Sequence, residues 1–474
     1  MFVGREKELE ELNRLYKQDR FQLFILYGRR RVGKTTLLNE FCRSRDSIFY
    51  AAEQTNDKMN LEKFSAEVFR FYGEEHVSGF SNWEKAFLYI NERQRDRQLV
   101  VVLDEFPYLA DSNPALMSVL QHLIDHRLKD GKLFLILCGS YMGFMEKEVL
   151  SSKSPLFGRR TAQLHMKPFL YTTGIRMLPG FSGGEKLMLY SIYGGTPLYL
   201  RQIDNETGFE DNIRKDFLTP TGYLYEEPML LMRQEVQEPG MYCAVIEAIA
   251  GGAVRSAEIA ARTGEETAKC LKYISVLREL GILYREVPFG EKENSRKAQY
   301  GICDPMFRFW YRYVSPNKTL LETGAERLVW AKRIAPNLIH YMGTAFEMIC
   351  REYLLLKNSR GELPVLFTKI GRWWGTDPEK RKETEIDLIA EDGEDYLICE
   401  CKWRNELTDR RVYEELKQKA DVFRKRRHDT WYVLFSKSGF SSGLIQEARN
   451  DPRLLLVTLE ELLALSAPPD YEEM

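Results

Sequence analysis

Gly28-Arg29-Arg30-Arg31-Val32-Gly33-Lys34-Thr35 decides the reading of the first third of this 474-residue chain. The stretch fits G-x-x-x-x-G-K-[ST] at every fixed position. The apolar run Phe21-Gln22-Leu23-Phe24-Ile25-Leu26-Tyr27 precedes it, and Leu37, Leu38 and Phe41 follow at helical spacing. A buried strand that delivers the chain to glycines, with a helix starting at them, lets backbone N–H groups converge on phosphate oxygens. In that setting Lys34 reaches the β- and γ-phosphates and the Thr35 hydroxyl binds Mg²⁺. Gly28, Arg29, Arg30, Arg31, Val32, Gly33, Lys34, Thr35 and Thr36 are the expected contacts to ATP.

Outward from this loop the pattern repeats. Leu99-Val100-Val101-Val102-Leu103 runs straight into Asp104-Glu105. An acid at the end of a buried strand beside a phosphate loop is the Walker B arrangement: Asp104 would hold Mg²⁺ through water, and Glu105 would orient the attacking water. A third run, Leu133-Phe134-Leu135-Ile136-Leu137-Cys138, ends at Gly139-Ser140, which places Ser140 as a sensor of the γ-phosphate. Apolar runs separated by helical patterns predict an α/β sheet of parallel strands with helices on both faces.

Composition sets limits. Hydrophobic residues make up 44% of the chain and charged residues 29%, with a net charge of −2. A chain so nearly neutral can touch nucleic acid only through a local patch. No apolar run approaches the ~18 residues that a membrane span needs. The charged start Phe2-Val3-Gly4-Arg5-Glu6-Lys7 has no apolar signal segment. The eight cysteines form no Cys-x-x-Cys pair, as expected of reduced thiols in the cytoplasm rather than a zinc centre. His122 and His126 have i, i+4 spacing but no third ligand in sequence reach.

Turn-rich breaks divide the rest. Leu178-Pro179-Gly180 and Glu238-Pro239-Gly240 bound a helical stretch. The expected domains are an ATPase core (1–178), a helical lid (179–238), a winged helix-turn-helix (239–303) and a C-terminal mixed α/β domain (304–474). The winged helix follows from three helices and two short strands, Ile282 to Arg285 and Gln299 to Ile302. Its third helix offers Glu265, Glu266, Lys269, Lys272 and Tyr273 outward. Its wing carries Lys292, Arg296 and Lys297 beside Glu291 and Glu293. Two acids at the mouth of the reader helix suit a DNA groove poorly, so a lid or a protein-docking module stands beside DNA binding as a reading.

In the last domain, Glu385-Ile386-Asp387-Leu388-Ile389 and Tyr396-Leu397-Ile398-Cys399-Glu400-Cys401-Lys402-Trp403 flank an Asp-Gly turn. Strand alternation puts Glu400 and Lys402 on one face and the two cysteines on the other. The hairpin brings Asp387 alongside. Two carboxylates, Asp387 and Glu400, can bind Mg²⁺, while Lys402 stabilises negative charge on the attacking water and on a phosphoryl transition state. The alternative is an idle strand pair, but apolar neighbours make this a costly place for idle charge. Arg424-Lys425-Arg426-Arg427 could touch phosphates or could be a solvated helix end.

Several of these stretches carry a family resemblance. Phe2-Val3-Gly4-Arg5-Glu6-Lys7-Glu8-Leu9, Tyr27-Gly28-Arg29-Arg30-Arg31, Asp104-Glu105-Phe106, Pro155-Leu156-Phe157-Gly158-Arg159-Arg160 and Gly194-Gly195-Thr196-Pro197-Leu198-Tyr199-Leu200 look like the archaeal and bacterial AAA-type ATPases near the STAND and origin-recognition branches. The resemblance implies that Val3 and Gly4 lie near the adenine. It also offers Arg159 as an arginine finger, with Arg160 as its neighbour, against the alternative of a surface salt bridge. Asp387, Glu400 and Lys402 resemble the PD-(D/E)XK nuclease core, and Glu347 matches that core's extra helical acid, unless it simply pairs with Arg351 one turn on. The implied function is an ATP-driven protein acting on DNA, with Mg²⁺ and a nuclease-like effector, and able to form homo-oligomers. The competing reading is a nucleotide switch that binds protein partners, its last domain a non-cleaving scaffold.

Overall fold

The computed structural model describes residues 2–74, 78–94, 97–393, 395–423 and 429–466. The chain divides into two compact units. The first runs to Pro168 and takes back Thr196–Leu198; the second comprises Phe169–Gly195 and the chain from Tyr199 on.

The first unit is built on β1 (Gln22–Tyr27), β2 (Ser47–Ala51), β3 (Leu99–Asp104), β4 (Leu133–Gly139) and β5 (Ala162–His165). They form one parallel sheet in the order β2-β3-β4-β1-β5. Every residue of β1, β3 and β4 is buried, so these strands read as unbroken apolar runs instead of alternating ones. Alternate residues feed two cores. Leu23, Ile25, Val101, Leu103 and Leu135 pack with Phe64, Trp83 and Phe87. Phe24, Leu26, Val100, Val102 and Ile136 pack with Leu12, Leu15, Leu37 and Phe41. Helix Lys34–Cys42 starts at the phosphate loop, and helix Phe106–Ser112 starts just beyond β3.

The second unit opens with helices, among them Gly183–Tyr193 and Glu227–Glu235. Helices Pro239–Ala250, Ser256–Thr263 and Thr267–Glu279 follow, then the antiparallel hairpin of β6 (Leu283–Glu286) and β7 (Gln299–Ile302). One expectation is corrected here. Tyr273 does not face outward; it is buried with Cys270, Ile274 and Leu277, because these four positions form the apolar stripe of the helix. Its hydroxyl donates to Glu238 at 3.1 Å.

The unit closes on a mixed sheet of β8 (Lys369–Asp377), β9 (Lys382–Asp392), β10 (Asp395–Lys402), β11 (Asp429–Ser436) and β12 (Leu454–Thr458), in the order β12-β11-β10-β9-β8. The pairs β8–β9 and β9–β10 are antiparallel, and β10–β11 and β11–β12 are parallel. Ile398 packs with Val412, Leu416 and Ala420 of helix Arg410–Phe423. On the other face Cys401 meets Cys350 of helix Leu338–Ser359.

The edge strand β8 is irregular between Gly371 and Trp373. Such a bulge frees backbone groups from the ladder, and the loop after β6 uses them. The Phe289 N–H donates to the Arg372 carbonyl at 2.8 Å, and the Arg372 N–H donates to Glu286 Oε1 at 3.3 Å. The Phe289 ring joins the C-terminal core 6.2 Å from that of Phe423. Among the described residues no helix is long and apolar enough to cross a membrane. The basic run Arg424 to Arg427 lies outside the described residues.

Candidate functional site

The phosphate loop is shaped by two glycines. Gly33 has φ +93°, in the left-handed region, and a Cβ on Gly28 would lie 2.3 Å from the Met166 carbonyl oxygen. Both positions therefore exclude other side chains. The Lys34 ammonium is buried and donates to the Gly28 carbonyl at 2.7 Å and the Arg29 carbonyl at 3.1 Å. The Thr35 hydroxyl donates to Asp104 Oδ2 at 2.7 Å, although β4 separates their strands in the sheet. Asp104 Oδ1 accepts the Glu105 N–H at 3.0 Å. A hydroxyl and a carboxylate converging in this way are hard oxygen donors suited to Mg²⁺.

The intervening strand β4 explains Ser140. It sits one residue past the strand end and is buried. Its hydroxyl donates to the Glu105 carboxylate, and its N–H reaches Glu105 Oε2 at 3.3 Å. Glu105 itself has φ +52°, a strained conformation for a residue with a Cβ. The Ser140 bonds aim the carboxylate toward the end of β4.

Two of the three loop arginines brace neighbouring residues. Arg29 is buried and donates to the Thr196 hydroxyl at 3.3 Å, and Arg30 donates to the Tyr108 hydroxyl at 3.0 Å. Arg31 takes φ +71°. Val3 is partly buried, and Gly4 is buried with φ +74°. Arg5 ties this segment to the loop, donating to the Val32 carbonyl at 3.2 Å and also to the Lys167 carbonyl. Arg159 forms a two-pronged ion pair with Asp125, at 2.8 and 2.7 Å, and donates to the Pro155 carbonyl at 2.9 Å. Arg160 lies over the Phe157 ring, 5.7 Å from its centre.

In the second unit, Glu400 is buried, with 5% of its surface exposed. Lys402 from the same strand binds its Oε1. Lys419, from helix Arg410–Phe423, binds both oxygens at 3.0 and 2.8 Å. The β9–β10 ladder stops at Leu388–Cys399. Just past it, the buried Asp387 turns into the gap and accepts the Cys401 N–H on Oδ2 at 2.8 Å. Burial, and then the Glu400 charge, push the Asp387 carboxyl up to about 6. Glu347 projects from helix Leu338–Ser359 into a cavity of about 330 Å³ that Asp387, Glu286 and Arg372 also line. Burial, and then Asp387, push Glu347 up to about 8. Burial disfavours the Lys402 ammonium, but Glu400 and Asp387 together outweigh it and the pKa is raised. No hydrogen bond joins Glu347 to Arg351 among those described.

Residues 2–203 match a family of ATPase domains predominantly from Archaea. Residues 310–418 match a family of archaeal and bacterial proteins of unknown function. An uncharacterized protein of Methanocaldococcus jannaschii is 32% identical over 444 residues, spanning 92% of this chain and 96% of that protein. The chain belongs to the family of that protein, and its N-terminal part carries the ATPase domain. An uncharacterized ATP-binding protein of the same organism is 51% identical over 53 residues, 10% of this ATPase and 90% of that protein. The Walker-type ATPase of Pyrococcus abyssi superposes with a TM-score of 0.49 at 20% identity, covering 66% of this ATPase and 96% of that chain.

The ATPase thus binds ATP through its N-terminal unit. Around the loop, Lys34, Thr35, Asp104, Glu105 and Ser140 come together, while Arg159 is engaged with Asp125. In the second unit Asp387, Glu400 and Lys402 meet, with Glu347 facing Asp387 from the cavity side. Lys419 is the member that sequence reasoning missed. It is 17 residues past Lys402 on a separate helix, and its only sequence signal is a lysine at the edge of the apolar stripe Val412, Leu416, Ala420 and Phe423. Among the described residues no group of three or more His, Cys, Asp or Glu side chains converges as a metal cluster, and the His122–His126 pair stands without a third ligand.

Proposed function

We propose that this ATPase uses ATP to control a DNA-directed, Mg²⁺-dependent phosphodiesterase in its C-terminal domain. The observation that carries the proposal is the buried Glu400, held by lysines beside the buried Asp387. A carboxylate this far from water needs a cation, and the two acids offer hard oxygens at which Mg²⁺ could replace an ammonium. Asp387 and Glu400 would hold the metal, which would supply charge neutralisation at a phosphodiester. Lys402 would stabilise the charge that builds up as the oxygen of a water molecule bonds to phosphorus and the bond to the leaving sugar oxygen breaks, that oxygen taking up a proton. Glu347 would support Asp387 from the cavity side.

In the N-terminal unit, Lys34 would bind the β- and γ-phosphates, and Thr35 and Asp104 would hold Mg²⁺. Glu105 would orient the hydrolytic water, with Ser140 positioning Glu105. Gly28 and Gly33 would shape the loop while Arg29 and Arg30 brace it. The segment 239–303 is read as a winged helix, and Arg159 acts on a neighbouring subunit only if Asp125 releases it. A divalent-metal cleavage assay on duplex and single-stranded DNA, with and without ATP, tests the proposal; it fails if purified chain and the Asp387→Ala, Glu400→Ala double variant cleave equally.

A second reading, a nucleotide switch for protein partners, has its own support. Phe289 and Glu286, at the base of the wing, are docked on β8, and Lys297 is paired with Glu291 at 2.8 Å. Both leave less of the wing for a phosphate backbone. Salt-sensitive duplex binding would favour the first reading, and its absence at low salt the second.

A further inference from the structure

Two cations share one buried carboxylate in the C-terminal domain. Lys402 satisfies Glu400 from the adjoining position on β10, so a structural ion pair is complete without a second partner. Lys419 nevertheless reaches in from another element and bonds both Glu400 oxygens, at 3.0 and 2.8 Å. Its side chain is 24% exposed, so it has a path back to solvent. Holding a long side chain this way costs rotamer freedom, and the geometry occupies the carboxylate face at which a divalent cation would bind.

We infer that Lys419 is a second lysine of this site, one that holds Glu400 until a divalent cation displaces it and then adds its charge to the bound phosphodiester. The inference rests on the phosphodiesterase reading above. Charge supports the exchange. Asp387 and Glu400 are balanced by Lys402 and Lys419 in the metal-free chain. Arrival of a divalent cation leaves a surplus of positive charge that repels an ammonium from Glu400, and Lys419, which reaches in from a separate helix, can withdraw while Lys402 stays fixed on β10. A phosphodiester then offsets part of the surplus, and an ammonium one side-chain length away is drawn to its oxygens. Lys419 is thus a positioning residue for the metal-free site and a phosphate partner for the loaded one.

The test uses the full chain and Mn²⁺, with the C-terminal site defined as the binding lost in Glu400→Ala. Lys419→Gln removes the competing charge and should tighten Mn²⁺ binding about tenfold, the size of effect that one displaced ion pair gives. Cleavage of plasmid DNA at saturating Mn²⁺ should fall about 10²-fold, the low end for the loss of one charge-stabilising donor. Lys419→Arg should restore the wild-type Mn²⁺ affinity. Thermal melting of each variant separates these effects from a folding defect. Unchanged or weaker Mn²⁺ binding at the C-terminal site of a folded Lys419→Gln chain overturns the inference, and so does a Glu400→Ala chain that loses no Mn²⁺ binding. A wild-type chain that binds Mn²⁺ at this site but cuts no DNA overturns the phosphodiesterase reading alone, and the affinity comparison then still decides the exchange.

Discussion

The Thr35 hydroxyl lies 2.7 Å from Asp104 Oδ2 across the strand that leads into Ser140. That contact joins the phosphate loop to the end of β3, and Ser140 joins the end of β4 to Glu105. The two contacts predict separable effects. Lys34→Ala should abolish ATP binding, measured by calorimetry. Glu105→Gln should bind ATP normally and hydrolyse it about 10²–10³-fold more slowly, the usual cost of losing one preorganised catalytic group. Ser140→Ala should lower turnover without weakening affinity, since Ser140 bonds Glu105.

Arg159 tests assembly. Its guanidinium is tied to Asp125. If it serves a neighbouring subunit, ATP turnover per chain should rise with protein concentration, and Arg159→Ala should lower kcat while sparing ATP affinity. If it is a structural staple, Arg159→Ala and Asp125→Ala should each lower stability slightly, by about 0–1 kcal/mol for a partly exposed pair, with a correspondingly small drop in melting temperature and concentration-independent turnover.

The C-terminal acids and lysine should separate by role. Asp387→Ala or Glu400→Ala should remove both divalent-metal binding and DNA cleavage, while Lys402→Ala should retain the metal and lose the rate. Lys34→Ala, in the other unit, should leave metal binding at Asp387 and Glu400 unchanged and alter cleavage only if ATP controls it. Calorimetry with Mn²⁺ and a plasmid-nicking assay read the two effects.

Glu352 predicts a pH dependence. It accepts the Tyr171 N–H at 2.8 Å and the Tyr190 hydroxyl at 3.2 Å, yet burial pushes its carboxyl from 4.5 up to about 7. The folded chain therefore holds a proton that the unfolded chain has lost between these values. Stability should fall as pH rises through that window and stay low above it. Glu352→Gln should flatten the profile and raise the melting temperature at pH 8. The gain is bounded by about 3 kcal/mol from the shift and reduced because the residue is partly exposed. An unchanged pH profile in the variant would refute the assignment.

Much of this was legible in the sequence, for physical reasons that differ by element. β1, β3 and β4 are buried on both faces, so their apolar runs stand out unbroken. The loop after β1 has a fixed pattern because its glycines let backbone N–H groups converge beside the lysine where phosphate oxygens bind. Glu400 and Lys402 follow from strand alternation. Asp387 also follows, although its true position depends on the ladder ending at Leu388, which alternation does not forecast. Tyr273 misleads a sequence reading because a tyrosine can bury its ring and leave its hydroxyl at the rim. Lys419, the Arg159–Asp125 pair and the seat of Phe289 are tertiary contacts with no local signature.

The seat of Phe289 also bears on how this protein can be dissected. A fragment cut at residue 303 would carry β8 without the residues that cap its outer edge. The Phe289 socket near Phe423 would open to water, and the backbone of Arg372 would lose both partners. An uncovered sheet edge beside an apolar hole invites pairing with another copy. Isolated 304–474 should therefore aggregate where 239–474 stays monodisperse, and Phe289→Ala in the full chain should cost about 2 kcal/mol, below the ~3–5 kcal/mol of a fully buried Phe→Ala because the ring is only partly buried. A boundary drawn where the sequence pattern changes would thus cut through a core that two modules hold in common.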